Sequence, residues 1–123
     1  MATEDGVTRV EKPWGYELIW AKTARYAAKV LHVRAGHALS LQYHHRKEET
    51  LLLWSGRLQF ELRDADRVRR WEMAPGDRVH IRPGAVHRMT AIDDCDVFEV
   101  STPELEDVVR VEDRYGREGT TDA

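Results

Sequence analysis

An all-β sandwich or barrel is the fold class that this sequence predicts, and three observations carry it. Short runs of apolar, β-branched and aromatic residues recur along the chain, each closed by turn-forming residues. The turns at Ala35-Gly36, Ser55-Gly56, Asp64-Ala65-Asp66, Ala74-Pro75-Gly76-Asp77 and Pro83-Gly84 divide the middle of the chain into short segments. Only residues 103–111 have the makings of a helical turn. Strand following strand with almost no helix leaves two packed antiparallel layers, or one sheet closed on itself, as the ways to bury the apolar faces.

Taken in order, residues 16–20 and 26–34 read as strands, the second ended by Ala35-Gly36. Residues 38–44 alternate in polarity and run into a polar loop that carries histidines. Residues 49–54 form an apolar strand stopped at Ser55-Gly56, and 58–63 with 68–73 make a hairpin about Asp64-Ala65-Asp66. Residues 78–82 run into Pro83-Gly84, and 87–92 and 96–101 complete the series. The helical turn over 103–111 rests on Glu104, Glu106 and Asp107, acids suited to a helix start. Residues 1–10 and 118–123, small and charged, are expected to be flexible tails flanking one domain over 11–117.

Bulk properties exclude several classes of function. A chain of 123 residues fits one domain with a core large enough to need no staples. Cys95 is the only cysteine, so neither an intrachain disulfide nor a thiolate metal cluster can form. The net charge of -3 argues against a nucleic-acid surface, which needs clustered positive charge. Arg63, Arg67, Arg69 and Arg70 do cluster, but about the hairpin turn, where they read as a solvated face. The longest purely apolar run, 51–54, is too short to span a membrane. The acidic start Met1-Ala2-Thr3-Glu4-Asp5 is unlike a signal peptide, so a cytoplasmic location is expected.

The chemistry is carried by two spaced patterns, Gly36-x5-Gln42-x-His44-x4-Glu49-x6-Gly56 and Gly76-x5-Arg82-Pro83-Gly84-x2-His87. Gln42 and His44 lie two apart, so on a strand both side chains face one way. Glu49 returns on the next strand and His87 follows a Pro-Gly turn on a distant one. Four N/O donors meeting inside a barrel suit one divalent ion.

These patterns resemble the two motifs of the cupin superfamily, which implies a double-stranded β-helix, a jelly-roll-like barrel, with a metal at its mouth. Gln42 stands where the first motif usually has histidine, Arg82 where the second has proline, and Ala91 where it ends in asparagine. Within the superfamily the chain is most similar to the mannose-6-phosphate isomerase domain of type II enzymes. The likeness rests on Lys12-Pro13-Trp14-Gly15, on Leu39-Ser40-Leu41-Gln42-Tyr43-His44-His45, on Val86-His87-Arg88 and on the run from Val109 to Arg117. It implies one divalent metal (zinc first, with manganese, nickel, cobalt or iron as alternatives) held by Gln42, His44, Glu49 and His87. It also implies a sugar-phosphate substrate, aldose–ketose isomerisation through an enediolate, and a homodimer, for which the segment from Trp14 to Trp20 is the expected interface. That domain usually has arginine where Lys47 stands, with Arg46 beside it here. The nucleotidyltransferase domain of bifunctional members has no counterpart in this sequence, so sugar-nucleotide synthesis is not expected.

Several further residues are candidates for the reaction. Lys29 shares the parity of Leu31 and Val33 and so faces inward, where an unpaired ammonium is costly; a lysine also occupies the matching position of the isomerase domain. Glu99, between Phe98 and Val100, is either a general acid/base in the pocket or an outer-surface charge. Lys47, Arg46, His45, Arg88 and Arg114 are candidates to bind the substrate and its anionic group; Arg117, like Arg88 and Arg114, either binds an anionic group or pairs with the acidic C-terminal segment. The readings that compete with the isomerase are a small cupin oxygenase or lyase and a sugar-binding module without turnover.

Overall fold

The computed structural model describes residues 6–119, and among them there is no helix. Eleven strands form two antiparallel sheets. The six-stranded sheet runs β1 (Thr8–Lys12), β2 (Gly15–Lys22), β3 (Ala27–Val33), β10 (Cys95–Ser101), β5 (Glu49–Ser55), β8 (Arg78–Ile81). The five-stranded sheet runs β11 (Val109–Glu112), β4 (Leu41–Tyr43), β9 (Val86–Ala91), β6 (Leu58–Asp64), β7 (Arg67–Met73). This is the two-layered jelly roll that the motifs imply.

Two segments differ from the sequence reading. Residues 8–10, expected in the N-terminal tail, belong to β1, with Thr8 opposite Ile19 and Val10 opposite Glu17. Residues 1–5 and 120–123 of the expected tails lie outside the described residues. The helical turn over 103–111 does not form. Its first half makes isolated turns, such as Leu105 N–H to the Pro103 carbonyl at 2.8 Å, and its second half is β11, pairing Val109 with Tyr43. Three of the four residues in Val108-Val109-Arg110-Val111 are β-branched, which favours a strand over a helix.

Between the sheets lie Leu31, Val33, Leu51, Leu53, Leu58, Phe60, Met73, Ile81 and Val97, all buried. Along three adjacent strands the inward positions change character together. β3 reads Val33, Leu31, Lys29; β10 reads Cys95, Val97, Glu99; β5 reads Leu53, Leu51, Glu49. Cross-strand register sets Glu99 opposite Lys29 on one side and Leu51 on the other. One end of the barrel is therefore apolar and the other is lined with buried charge. That polar end is the place to look for chemistry.

Gly56, the last residue of the first motif, is required at its turn. Its φ is +93°, and a Cβ there would lie 2.2 Å from the Asp94 carbonyl oxygen. Backbone cannot yield as a flexible side chain can. Gly56→Ala is expected to cost at least about 2 kcal/mol from left-handed strain and overpacking, read as a lower urea midpoint. A midpoint unchanged from the wild type would show that the Ser55-Gly56 turn is free to rearrange.

Candidate metal centre

His44 follows β4, Glu49 opens β5 and His87 sits in β9, directly opposite Gln42. The Gly84 N–H donates to the His44 carbonyl at 2.7 Å, tying the Pro-Gly turn to the histidine loop. One ligating atom from each of His44, Glu49 and His87 lies within 4.8 Å of the others, and all three residues are buried.

The hydrogen bonds behind these rings fix their chemistry. His44 Nδ1 donates to the Asp107 carbonyl at 2.5 Å, and His87 Nδ1 donates to the Ala85 carbonyl at 2.9 Å. A carbonyl only accepts, so each ring carries its proton on Nδ1 and turns an Nε2 lone pair inward. His44 Nε2, His87 Nε2 and Glu49 Oε2 have no hydrogen-bond partner among the described residues. His44 Nε2 stands 2.8 Å from Glu49 Oε2, a separation at which two lone pairs repel unless a cation or a proton lies between them. Three converging N/O donors left unsatisfied in this way fit a divalent ion.

Electrostatics keep the donors in the ligating state. Burial alone would raise the Glu49 carboxyl, but the Lys47 ammonium and the two imidazoles outweigh it and hold Glu49 well below the usual carboxylate range. Burial lowers His87, aided by His44 and Lys47 and opposed by Glu49, so that ring stays neutral. Lys47 Nζ lies 3.4 Å from Glu49 Oε2 and 3.0 Å from Glu99 Oε2, while Lys29 Nζ lies 3.1 Å from Glu17 Oε2 and 3.9 Å from Glu99 Oε2. All five side chains are buried, which makes a chain of alternating charge from Glu17 to the candidate metal donors. Against the cost of burial, Glu99 and Glu49 raise Lys47 above its ordinary value.

The profile of the family described as mannose-6-phosphate isomerase C-terminal matches residues 3–113. The chain belongs to this family. Its curated relatives include mannose-1-phosphate guanylyltransferase ManC of Salmonella typhimurium and mannose-1-phosphate guanylyltransferase of Escherichia coli K12. Each is 32% identical over 114 residues, a match covering 88% of this chain and 23% of the relative. The chain thus spans about a quarter of the length of these proteins. Among solved structures, the capsular polysaccharide assembling protein CapF of Staphylococcus aureus aligns with TM-score 0.69 at 21% identity, over 83% of this chain and 30% of that one. KdgF of Halomonas sp. aligns with TM-score 0.67 at 22% identity, over 82% and 90%. Oxalate decarboxylase of Bacillus subtilis, described with Mn(II) centres, aligns with TM-score 0.68 at 17% identity, over 79% and 27%. These likenesses show the cupin fold.

Within this family frame, the candidate residues divide into two groups. Gln42, Lys29, Lys47 and Glu99 line one pocket with His44 and Glu49. Gln42 Oε1 accepts a hydrogen bond from Ser40 Oγ at 2.6 Å. His45 is exposed against the edge of Tyr43, and Arg46 is exposed on a separate groove beside Lys22 and Glu104. Lys47, not Arg46, takes the buried position. Arg88 lies outside the pocket, 3.5 Å from Glu112, and Arg114 is exposed, donating to the Gly36 carbonyl at 3.2 Å. In their stead, Lys12, Glu17, Arg110 and Arg117 line the pocket, and of these the sequence offers only Arg117 as a candidate. Glu17 had a signal in its place between Tyr16 and Leu18; the others come from the chain's two ends, which only the fold brings together.

Asp107 organises the ligand loop. Its carboxylate accepts the N–H groups of His45 at 3.0 Å, Arg46 at 2.6 Å and Lys47 at 3.0 Å, while its carbonyl orients His44. Burial raises its carboxyl, but the three N–H donors together outweigh burial and lower it below the ordinary aspartate value. A carboxyl lowered on folding stabilises the fold above its unfolded value and loses that contribution as pH falls through the folded value. Below about pH 4, thermal stability should therefore fall less steeply in Asp107→Asn than in wild type. Superimposable acid limbs would mean that the loop does not depend on this carboxylate.

Proposed function

We propose that the chain is a metal-dependent isomerase that interconverts an aldose phosphate and a ketose phosphate of the mannose 6-phosphate type. The observation that carries the reading is the set of three orphaned donors standing beside a buried carboxylate, Glu99, whose charge is matched by two lysines. Gln42 is the proposed fourth ligand, through the amide oxygen that now accepts from Ser40. A bound divalent ion, zinc in the first instance, would draw electron density from the substrate's carbonyl and stabilise charge as the enediolate develops. Glu99 is the proposed base that takes the proton from the carbon beside the carbonyl and returns it to the neighbouring carbon. Lys47 and Lys29 hold Glu99 in place and balance its charge. Family membership supports the substrate class.

The test is metal analysis of protein purified without added metal, followed by assay of mannose 6-phosphate and fructose 6-phosphate interconversion. One metal per chain and turnover abolished by chelation are expected. No interconversion above background by protein loaded with zinc or manganese would overturn the isomerase reading, leaving a binding module.

We also propose a cytoplasmic homodimer. Trp14, part of the expected interface, is buried in the core and unavailable. The outer face of the six-stranded sheet offers a different surface. Leu18, Val30, Phe98 and Leu52 form one row across four strands, flanked by exposed Trp20, Trp54 and Val100. A contiguous apolar face of this kind favours pairing with a second copy. Light scattering at tens of micromolar should give the dimer mass, and Trp54→Asp should shift it towards monomer. A monomeric wild type would sink the proposal.

A further inference from the structure

The pocket gathers cationic side chains from both ends of the described chain. Five cationic side chains line it (Lys12, Lys29, Lys47, Arg110 and Arg117) against three carboxylates, Glu17, Glu49 and Glu99. Lys29 and Lys47 are engaged with those carboxylates. Arg117 is held as a fork on Asp113, with both nitrogens 3.0 Å from its oxygens, which fixes the guanidinium in place. Lys12, half-buried on β1, makes no ion pair among the described residues. Burial, followed by repulsion from Lys29, Arg110 and Arg117 and opposed by Glu17, lowers its ammonium below the ordinary lysine value. Gathering like charges in a half-buried pocket is unfavourable in the absence of an anion, and the arrangement recurs where proteins bind phosphoryl groups.

We propose that Lys12, Arg110 and Arg117 form a phosphoryl-binding subsite, which holds the substrate's phosphate while its carbonyl end faces His44, Glu49 and His87. Three different parts of the chain build it: β1, β11 and the turn after it. It replaces Arg46, Arg88 and Arg114 as the group that recognises the anion. The inference rests on the sugar-phosphate reading for its ligand, but its geometry is independent of turnover.

Isothermal titration of the metal-loaded protein with mannose 6-phosphate, mannose and glucuronate, and of the metal-free protein with inorganic phosphate, tests it. Lys12→Ala is the variant of choice, because no carboxylate within ion-pair distance is left bare by it. It should weaken mannose 6-phosphate and inorganic phosphate at least about tenfold, leave mannose unchanged and be rescued by Lys12→Arg. Arg88→Ala and Arg114→Ala should bind both anions as the wild type does. Equal affinity of Lys12→Ala and wild type for both phosphates would overturn the subsite. Lys12-dependent binding of glucuronate without mannose 6-phosphate would make it a carboxylate site and overturn the phosphoryl assignment. Lys12-dependent phosphate binding in a protein with no turnover would keep the subsite and remove the isomerase. Turnover whose KM is indifferent to Lys12→Ala would do the reverse.

Discussion

Alanine at both His44 and His87 should abolish stoichiometric metal binding. Each histidine presents a preoriented Nε2, its tautomer fixed by a backbone carbonyl. The double substitution leaves Glu49 and the weak amide of Gln42, too few donors for a stable site, so affinity should fall by at least about a thousandfold. Glu49→Gln keeps both imidazoles and the volume but loses the charge, and should weaken binding without abolishing it. Competition against a chromophoric chelator measures both, with circular dichroism to verify that the sheets persist. Metal retained at one equivalent by the double variant would refute the ligand assignment outright.

The second large effect is on stability. Lys47→Met replaces an ammonium that is 4% exposed with an apolar chain of similar length, leaving Glu49 and Glu99 buried beside each other. Removing one partner of a buried ion pair costs about 3–5 kcal/mol, most of it from the charge left behind. That loss should appear in full in urea unfolding of metal-free protein. It should shrink when a divalent ion is present, because the ion takes over the neutralisation of Glu49 while Lys29 remains 3.9 Å from Glu99. A loss below about 1 kcal/mol without metal would place this lysine among ordinary surface pairs, contrary to its burial.

How much of this was legible in the sequence depended on the range of the interaction involved. The strands of the middle of the chain were readable because apolar runs and Gly-Pro turns are local signals. The inward direction of Lys29 was readable from parity with Leu31 and Val33, and β3 bears it out. Glu99 was ambiguous, since its immediate neighbours Phe98 and Val100 are apolar; its true facemates are Val97 and Cys95, two and four residues away. β1 was missed because Thr8-Arg9-Val10-Glu11-Lys12 is mostly polar, and only pairing with β2 makes it a strand. Asp107 was taken for a helix-starting acid; its role is to receive N–H groups about 60 residues earlier in the chain, as in its contact with Lys47. Lys12, Arg110 and Arg117 lie in stretches that carry the family likeness, but nothing local shows that the three meet in one pocket; only the fold brings them there.

The position of β10 has a consequence for the order in which the chain assembles. It is the last strand of the six-stranded sheet to be synthesised, yet it lies between β3 and β5 and hydrogen-bonds to both. Until residues 95–101 arrive, the β1-β2-β3 meander and the β5-β8 pair are separate pieces, each with an unpaired edge. Closing the gap requires contacts between residues more than sixty apart, such as Val33 with Cys95, and such long-range closure is slow. A nascent or truncated chain ending before residue 95 would therefore expose two open edges and the apolar residues that β10 covers, the condition under which β-rich chains aggregate.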